Sequence, residues 1–268
     1  MSSFDLTTTA KVKAYLGITD AAYDDTIDDI VTAVSCEIEL YCNRQFELDT
    51  YTEQILGNGE SKVRLRNTPI EGILYSAVGA QTVMTVTYSG AKTASIDVQA
   101  REVRLIEGLS QTDVAIADDD TLNDVVTAIS AVTGWTAEIC SADIGVYPGR
   151  ILFQRNYGTI ESGDDINLEA ALSQLALAEI NDGLYQANRT LCGNTLVIYS
   201  GGYAADAIPA GLEQLATQIC ADTFKSIQQQ ANLKGEKIGD YSYSLNTEVK
   251  TAIEAYTTRL DFYAAMVI

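Results

Sequence analysis

DAAYDDTIDDIVTAVSCEIELYCNR, residues 20–44, places apolar side chains at Ile27, Ile30, Val31, Val34, Ile38 and Tyr41. Steps of three and four put these residues on one stripe of a helix. Asp24, Asp25, Asp28 and Asp29 crowd the first turns, where unpaired amide groups and the helix dipole favour carboxylates. Twenty-five helical residues would make a rod of about 37 Å, too long for one short neighbour to cover. Two C-terminal helices are expected to cover the stripe, with the intervening chain inserted beside them.

The totals bound what such a chain can do. It has 268 residues, 47% hydrophobic and 20% charged, enough for a real core in one or two domains. Thirty-seven acidic residues against 17 basic ones give a formal charge of −20. That balance is unsuited to gripping nucleic-acid phosphates, which takes cations that displace counterions. An anionic membrane is disfavoured for the same reason. No apolar run of about 18 residues and no signal-like start is present, so a soluble, non-secreted protein is expected. The sequence contains no histidine. This removes Ser–His–Asp and Cys–His nucleophile pairs, histidine metal sites and the commonest acid–base group. The five cysteines are Cys36, Cys42, Cys140, Cys192 and Cys220. They are odd in number and scattered, and read as reduced structural thiols.

Upstream of the long helix, residues 6–17 read as a short helix, capped by a threonine and ended by Gly17. Beyond Phe46 the pattern turns to alternation. Tyr51 to Leu56, a Gly57-Asn58-Gly59 turn and Val63 to Arg66 predict a β-hairpin. Pro69-Ile70 opens another extended segment that reaches Val78. From about Ala80 to Phe153, short β-rich runs alternate with turns around one compact helix, Asp120–Val132. Trp135 to Ile139 and Ile151 to Gln154 read as two closing strands, with Trp135 in a small core. Ile166 to Ala187 reads as two strands around Asn181-Asp182-Gly183, and Leu196–Tyr199 as another. Pro209 then fits the first turn of a helix striped by Leu212, Leu215, Ala216, Ile219, Ile227 and Ala231. Gly235 to Ser244 is a glycine- and tyrosine-rich connector. A last helix from about Asn246 carries Val249, Ile253, Tyr256 and Leu260 on one face.

Three acidic clusters invite a metal reading: Asp24/Asp25/Asp28/Asp29, Asp118/Asp119/Asp120 and Asp164/Asp165. None has calcium-loop spacing, and helix starts and solvated loops account for them. Gly201-Gly202 lacks the lysine and hydroxyl residue of a phosphate loop, so it reads as a turn. No cofactor and no metal ligand set is expected.

Taken together, these segments resemble the head–tail connector, or adaptor, proteins of tailed bacteriophages. The resemblance rests on Leu6-Thr7, on Val12-Lys13-Ala14-Tyr15-Leu16-Gly17-Ile18 and on the acidic helix start. It continues through Ile38-Glu39, Tyr41-Cys42-Asn43-Arg44, Phe46 and Pro69-Ile70. Val197, Tyr199, Gly201-Gly202-Tyr203 and Ile208-Pro209 extend it. It implies a small helical bundle with a β-rich side, non-enzymatic, and assembled as a ring, typically of twelve copies, beneath the portal protein. Further implied partners are a stopper or tail-completion protein and DNA that passes through without tight binding; no membrane is involved. The expected location is the neck of the virion, with the host cytoplasm during assembly. A central block of about residues 80–190 is longer than a minimal member would need.

The expectation is an α+β protein. Residues 1–79 and 191–268 would form a helical adaptor core, and residues 80–190 an inserted β-rich α+β domain. Two other readings are a carboxylate-dependent hydrolase or glycan-binding virion protein, and a stopper in the same neck. Partner contacts are expected at Tyr241, Tyr243, Phe262, Tyr263, Met266, Val267 and Ile268. The last seven residues, Phe262 to Ile268, hold no charged side chain. They either prolong the final helix stripe or form an arm that orders against a neighbour. The charge makes one expectation directly testable. Duplex DNA should show no measurable affinity at physiological salt by fluorescence anisotropy, and micromolar binding with a steep salt slope would overturn this.

Overall fold

The computed structural model describes residues 4–232 and 252–264. Its helices are α1 (Thr9–Leu16), α2 (Asp24–Cys42), α3 (Leu122–Ser130), α4 (Ala210–Asn232) and α5 (Thr257–Leu260). The strands up to residue 115 are β1 (Asp49–Asn58), β2 (Lys62–Arg64), β3 (Ile70–Val78), β4 (Gln81–Tyr88), β5 (Ala94–Val98), β6 (Glu102–Glu107) and β7 (Ser110–Ala115). After them come β8 (Trp135–Ile139), β9 (Arg155–Asn156), β10 (Asp165–Ala170), β11 (Ser173–Gln174), β12 (Leu177–Asn181), β13 (Leu184–Ala187) and β14 (Cys192–Gly201). The protein is α+β. It divides into a helical unit, Met1–Leu48 with Arg66–Thr68 and Gly202–Ile268, and a sheet unit, Asp49–Leu65 with Pro69–Gly201.

In the helical unit the caps follow from the residues at the ends. Thr8 accepts from the Lys11 amide to start α1, and Gly17, at φ 70°, ends it. Asp20 caps a short 3₁₀ turn, Ala21–Tyr23, that precedes α2. The regular helix is therefore 19 residues long, about 28 Å, shorter than the 25-residue rod expected. Asn43 closes it at φ 50°, the left-handed conformation that asparagine tolerates best after glycine. The buried stripe runs Ile27, Ile30, Val31, Val34, Ser35, Ile38 and Cys42. Cys42 thus takes the place expected of Tyr41, whose ring is partly exposed.

Leu212, Leu215, Ala216, Ile219, Cys220 and Phe224 of α4 join the α2 stripe in one core. Among the described side chains the α4 stripe ends at Phe224, since Ile227 is exposed; Ala231 lies outside them. Two hydroxyl contacts tie the N-terminal segment down: Leu6 N donates to Ser35 Oγ at 3.0 Å, and Thr7 and Thr217 share a 2.7 Å hydroxyl bond. Of the last helix expected from about Asn246, residues 246–251 lie outside the described residues. A 3₁₀ turn, Ala252–Tyr256, leads into the single turn of α5. Ile253 and Leu260 still reach the core, while Val249 lies outside the described residues.

Beyond α2, Arg44 works as a clasp. Its guanidinium donates to Thr68 Oγ1 at 2.9 Å and to the Thr68 carbonyl, and it lies 4.7 Å from the Phe46 ring centroid. Gln45 N donates to Asn67 Oδ1 at 2.8 Å, so residues 66–68 are held on the helical unit. Glu39 Oε1 accepts from Phe46 N at 3.0 Å. Burial lifts the Glu39 carboxyl above its ordinary value, more than that amide bond lowers it.

The sheet unit is organised by β14. It pairs antiparallel with β1 along its whole length, Asp49↔Gly201 to Asn58↔Cys192, and with β3 on its other side. Alternate side chains serve two cores, as strand geometry requires. Leu196 and Ile198 face the larger core, whereas Val197 and Tyr199 face a smaller one with Tyr51, Val63 and Leu65. The expected hairpin between residues 51 and 66 is therefore replaced. β1 pairs with β14, and β2 pairs with β13. At Gly57 a side chain would meet the Leu191 carbonyl at 2.4 Å, so glycine serves close chain passage there rather than a hairpin turn.

The remaining strands form β10-β4-β8 and β7-β6-β5-β9 sheets. α3 starts on a capping box of Thr121 and Asp124, and buries Leu122, Val125 and Ile129. Trp135 is buried, 4.7 Å from the Tyr88 ring centroid, as expected for the one tryptophan. Asp182-Gly183 turns β12 into β13, with Gly183 at φ 74°. Ile151 to Gln154 is not a strand: a 3₁₀ turn, Gly149–Ile151, precedes a lone Leu152↔Ala170 bridge. The reason lies in Arg150, which is buried. Its guanidinium pairs with Asp118 and donates to the Thr50 carbonyl at 2.8 Å. With Arg101 on Thr50 and Gln154 on Thr52, side chains satisfy carbonyls of β1 in place of another strand.

Contacts thus divide the chain at Leu48/Asp49 and Gly201/Gly202, whereas the sequence suggested limits near 80 and 190. The strands β1, β2, β3 and β14 lie between the two sets of limits and go with the sheet unit.

Two measurements probe this packing. Ile38 is fully buried between α2 and α4, so Ile38→Ala should lower the unfolding free energy by about 2–5 kcal/mol. A loss below about half a kcal/mol would place this face outside the core. The raised Glu39 pKa means that the folded state holds this proton more tightly than the unfolded chain. Its contribution is therefore fully present below the ordinary glutamate value and is lost as pH rises through the folded pKa. Glu39→Gln keeps an acceptor for Phe46 N. It should flatten the change in urea-unfolding stability between about pH 4.5 and about pH 7, and an unchanged slope would contradict the assignment.

Candidate assembly surface

The chain's last described turn is pinned to the helical unit by polar bonds around two buried anchors. Leu260 and Ile253 fill the core. Tyr41 donates its hydroxyl proton to Asp261 Oδ1 at 2.6 Å, Arg259 donates to Gln218 Oε1 at 2.7 Å, and Tyr256 bonds Asp222 Oδ2 at 2.5 Å. Cys42 Sγ lies 3.8 Å from the Leu260 carbonyl. Burial, then the Asp222 bond, pushes the Tyr256 phenol up to about 12. Burial does the same to the Cys42 and Cys220 thiols, each pushed up to about 12, so both stay protonated and unreactive at neutral pH. Cys140 differs in being exposed.

Past this anchor the two neighbouring aromatics part company. Tyr263 packs on the core, whereas Phe262 is 86% exposed. Leu40, one residue before the Tyr41 that holds Asp261, is 71% exposed. Of the residues expected to meet partners, the structure therefore presents Phe262 to solvent and gives Tyr263 an internal role. Tyr241, Tyr243, Met266, Val267 and Ile268 lie outside the described residues.

A groove of about 600 Å³ opens elsewhere on the helical unit, lined by Phe4, Asp5, Asp28, Val31, Ile208 and Glu213 among others. Burial raises the Asp5 carboxyl above its ordinary value, and Asp28 adds to the effect while Thr32 opposes it. A raised carboxyl opposite an ionised one is what the hydrolase reading would need. Here the neighbours have structural duties. Thr9 Oγ1 donates to Asp28 at 3.0 Å, Lys11 pairs with Glu213, and the adjacent Leu6 is a core anchor. Among the described residues no histidine, cysteine, aspartate and glutamate groups of three or more are placed to hold a metal ion. No described helix is long and apolar enough to cross a membrane.

The Arg44 clasp, the Arg150 bonds and the groove had no sequence signal of their own. Arg44 lay within the resemblance, yet its partner Thr68 is 24 positions away, and nothing local pairs them.

Comparison with known proteins adds a family match and a weak likeness to solved structures. Residues 5–132 match the family model described as Head completion protein. The neck of an empty GTA particle, computed with C6 symmetry, is similar at 9% identity and a TM-score of 0.35. That likeness covers 100% of this chain and 95% of the other, and is too slight to carry a fold. No curated protein matches. The family match takes in α1, α2, the Arg44 clasp and Pro69-Ile70, the residues on which the N-terminal part of the resemblance rests. That resemblance is thereby borne out, and the chain is related, over residues 5–132, to the head completion proteins.

Proposed function

We propose that this chain is a head–tail adaptor, a structural subunit of the virion neck that assembles as an oligomeric ring beneath the portal, with DNA passing through. The match to head completion proteins over residues 5–132 carries the reading. The physical chemistry supports it. At −20 and without histidine, the subunit is poorly equipped to hold DNA or to run acid–base chemistry, and both suit a passive conduit. Its helical unit presents Phe262 outward at the start of an uncharged C-terminal stretch.

That stretch is the proposed contact with the portal or an adjoining subunit. Transfer of Phe262, Met266, Val267 and Ile268 out of water would contribute at most about 6–12 kcal/mol per subunit. Ordering the chain lowers this, yet a fraction repeated around a ring is enough for docking.

Because Tyr263 packs on the core, removing everything after Asp261 would take a structural contact with it. Truncation after Ala264 and the single change Phe262→Ala avoid this. Both variants should keep the parent's helicity and melting temperature, but fail to join portal-containing particles in a reconstitution read by sedimentation. Normal attachment by both variants would overturn the docking role.

A further inference from the structure

Among the described residues, most basic side chains are committed within the protein's own fold. Lys11, Lys13 and Lys225 pair with Glu213, Asp24 and Asp222. Arg101, Arg104, Arg150 and Arg155 pair with Asp49, Glu102, Asp118 and Glu169. Arg189 donates to the Ser173 and Gln174 carbonyls, and Arg259 to Gln218. The acidic side chains are not matched in this way. Asp20, Asp25, Asp29, Asp119, Asp164 and Asp206 are exposed and make no ion pair among the described residues.

We infer that self-association of this chain is gated by ionic strength: copies repel until salt screens their carboxylates, and only then do apolar contacts hold them together. The inference rests on the ring reading above. Each copy brings −20 to a contact, and because most of its described cations are already paired with its own carboxylates, it has few to offer a neighbour's. Neutralisation must come from solution. The range of the repulsion is set by the Debye length, about 30 Å at 0.01 M salt and about 8 Å at physiological ionic strength. At the first value the charge of a whole subunit is felt across a contact; at the second only nearby carboxylates are. Apolar burial changes little over the same range, so the balance tips with salt.

Sedimentation velocity of the full chain at 0.01, 0.15 and 0.4 M NaCl tests this. Circular dichroism at each salt separates any change in folding from association. The expected result is an association constant that rises at least tenfold between 0.01 and 0.15 M with unchanged helicity. A constant that is flat or falls with salt would mean that attractive ion pairs cross the interface, and would overturn the gating while leaving the ring intact. A chain that stays monomeric at every salt would overturn the ring reading, and the gating with it.

Discussion

Burial of the α2 stripe against α4 is the contact on which the rest of the helical unit depends. Ile27, Val34 and Ile38 share a core with Leu215 and Ile219, so residues nearly two hundred positions apart must meet. The chain between them has to leave and return at nearly the same place. The structure shows how: Leu48 N donates to the Tyr203 carbonyl at 2.8 Å, and Tyr203 N to the Phe46 carbonyl at 2.7 Å. Gly202 makes this closure possible. At φ 100°, any side chain there would lie 2.1 Å from the Glu47 carbonyl oxygen. Glycine alone adopts that backbone without strain and leaves that space open. The Gly201-Gly202 pair is thus a turn in the service of closure, with no phosphate to cradle.

The chemistry of the interior is correspondingly inert. Cys42 and Cys220 sit in apolar surroundings that keep them protonated, and Ser35, Thr7 and Thr217 spend their hydroxyls on helix and loop contacts. The partly buried carboxylates Glu39 and Asp5 have their pKa raised mainly by desolvation. They therefore oppose folding as pH rises instead of anchoring it. These properties fit a protein whose work is done by surfaces and repetition. On the reading proposed above, its charge would keep copies and nucleic acid at a distance, while the uncharged stretch that begins at Phe262 would supply adhesion.

The sequence by itself determined the local elements and the direction of their faces. The three-and-four spacing of apolar residues in α2 and α4, the Thr8 and Gly17 caps, the Asp182-Gly183 turn and the burial of Trp135 were all readable from neighbours a few positions apart. So was the absence of a histidine-based site, since composition alone decides it. The N-terminal half of the resemblance was legible for the same reason: Tyr41-Cys42-Asn43-Arg44 and Phe46 form one continuous cap and clasp.

Only the tertiary structure decided which strands pair, where the units divide and which aromatics are free. Tyr51–Leu56 and Val63–Arg66 alternate as a hairpin would, but β14 offers β1 a partner ten residues long. Alternation records which face is buried and says nothing about which neighbour buries it. Cys42 displaced Tyr41 from the stripe because one position rotates a helical side chain by about 100°, and a long aromatic reaches Asp261 at the surface more easily than a thiol does. Tyr263 and Phe262 are adjacent and chemically alike, yet one packs inward and the other faces water. That choice belongs to the short α5 turn and the bonds that orient it, and those bonds join residues as far as 220 positions apart.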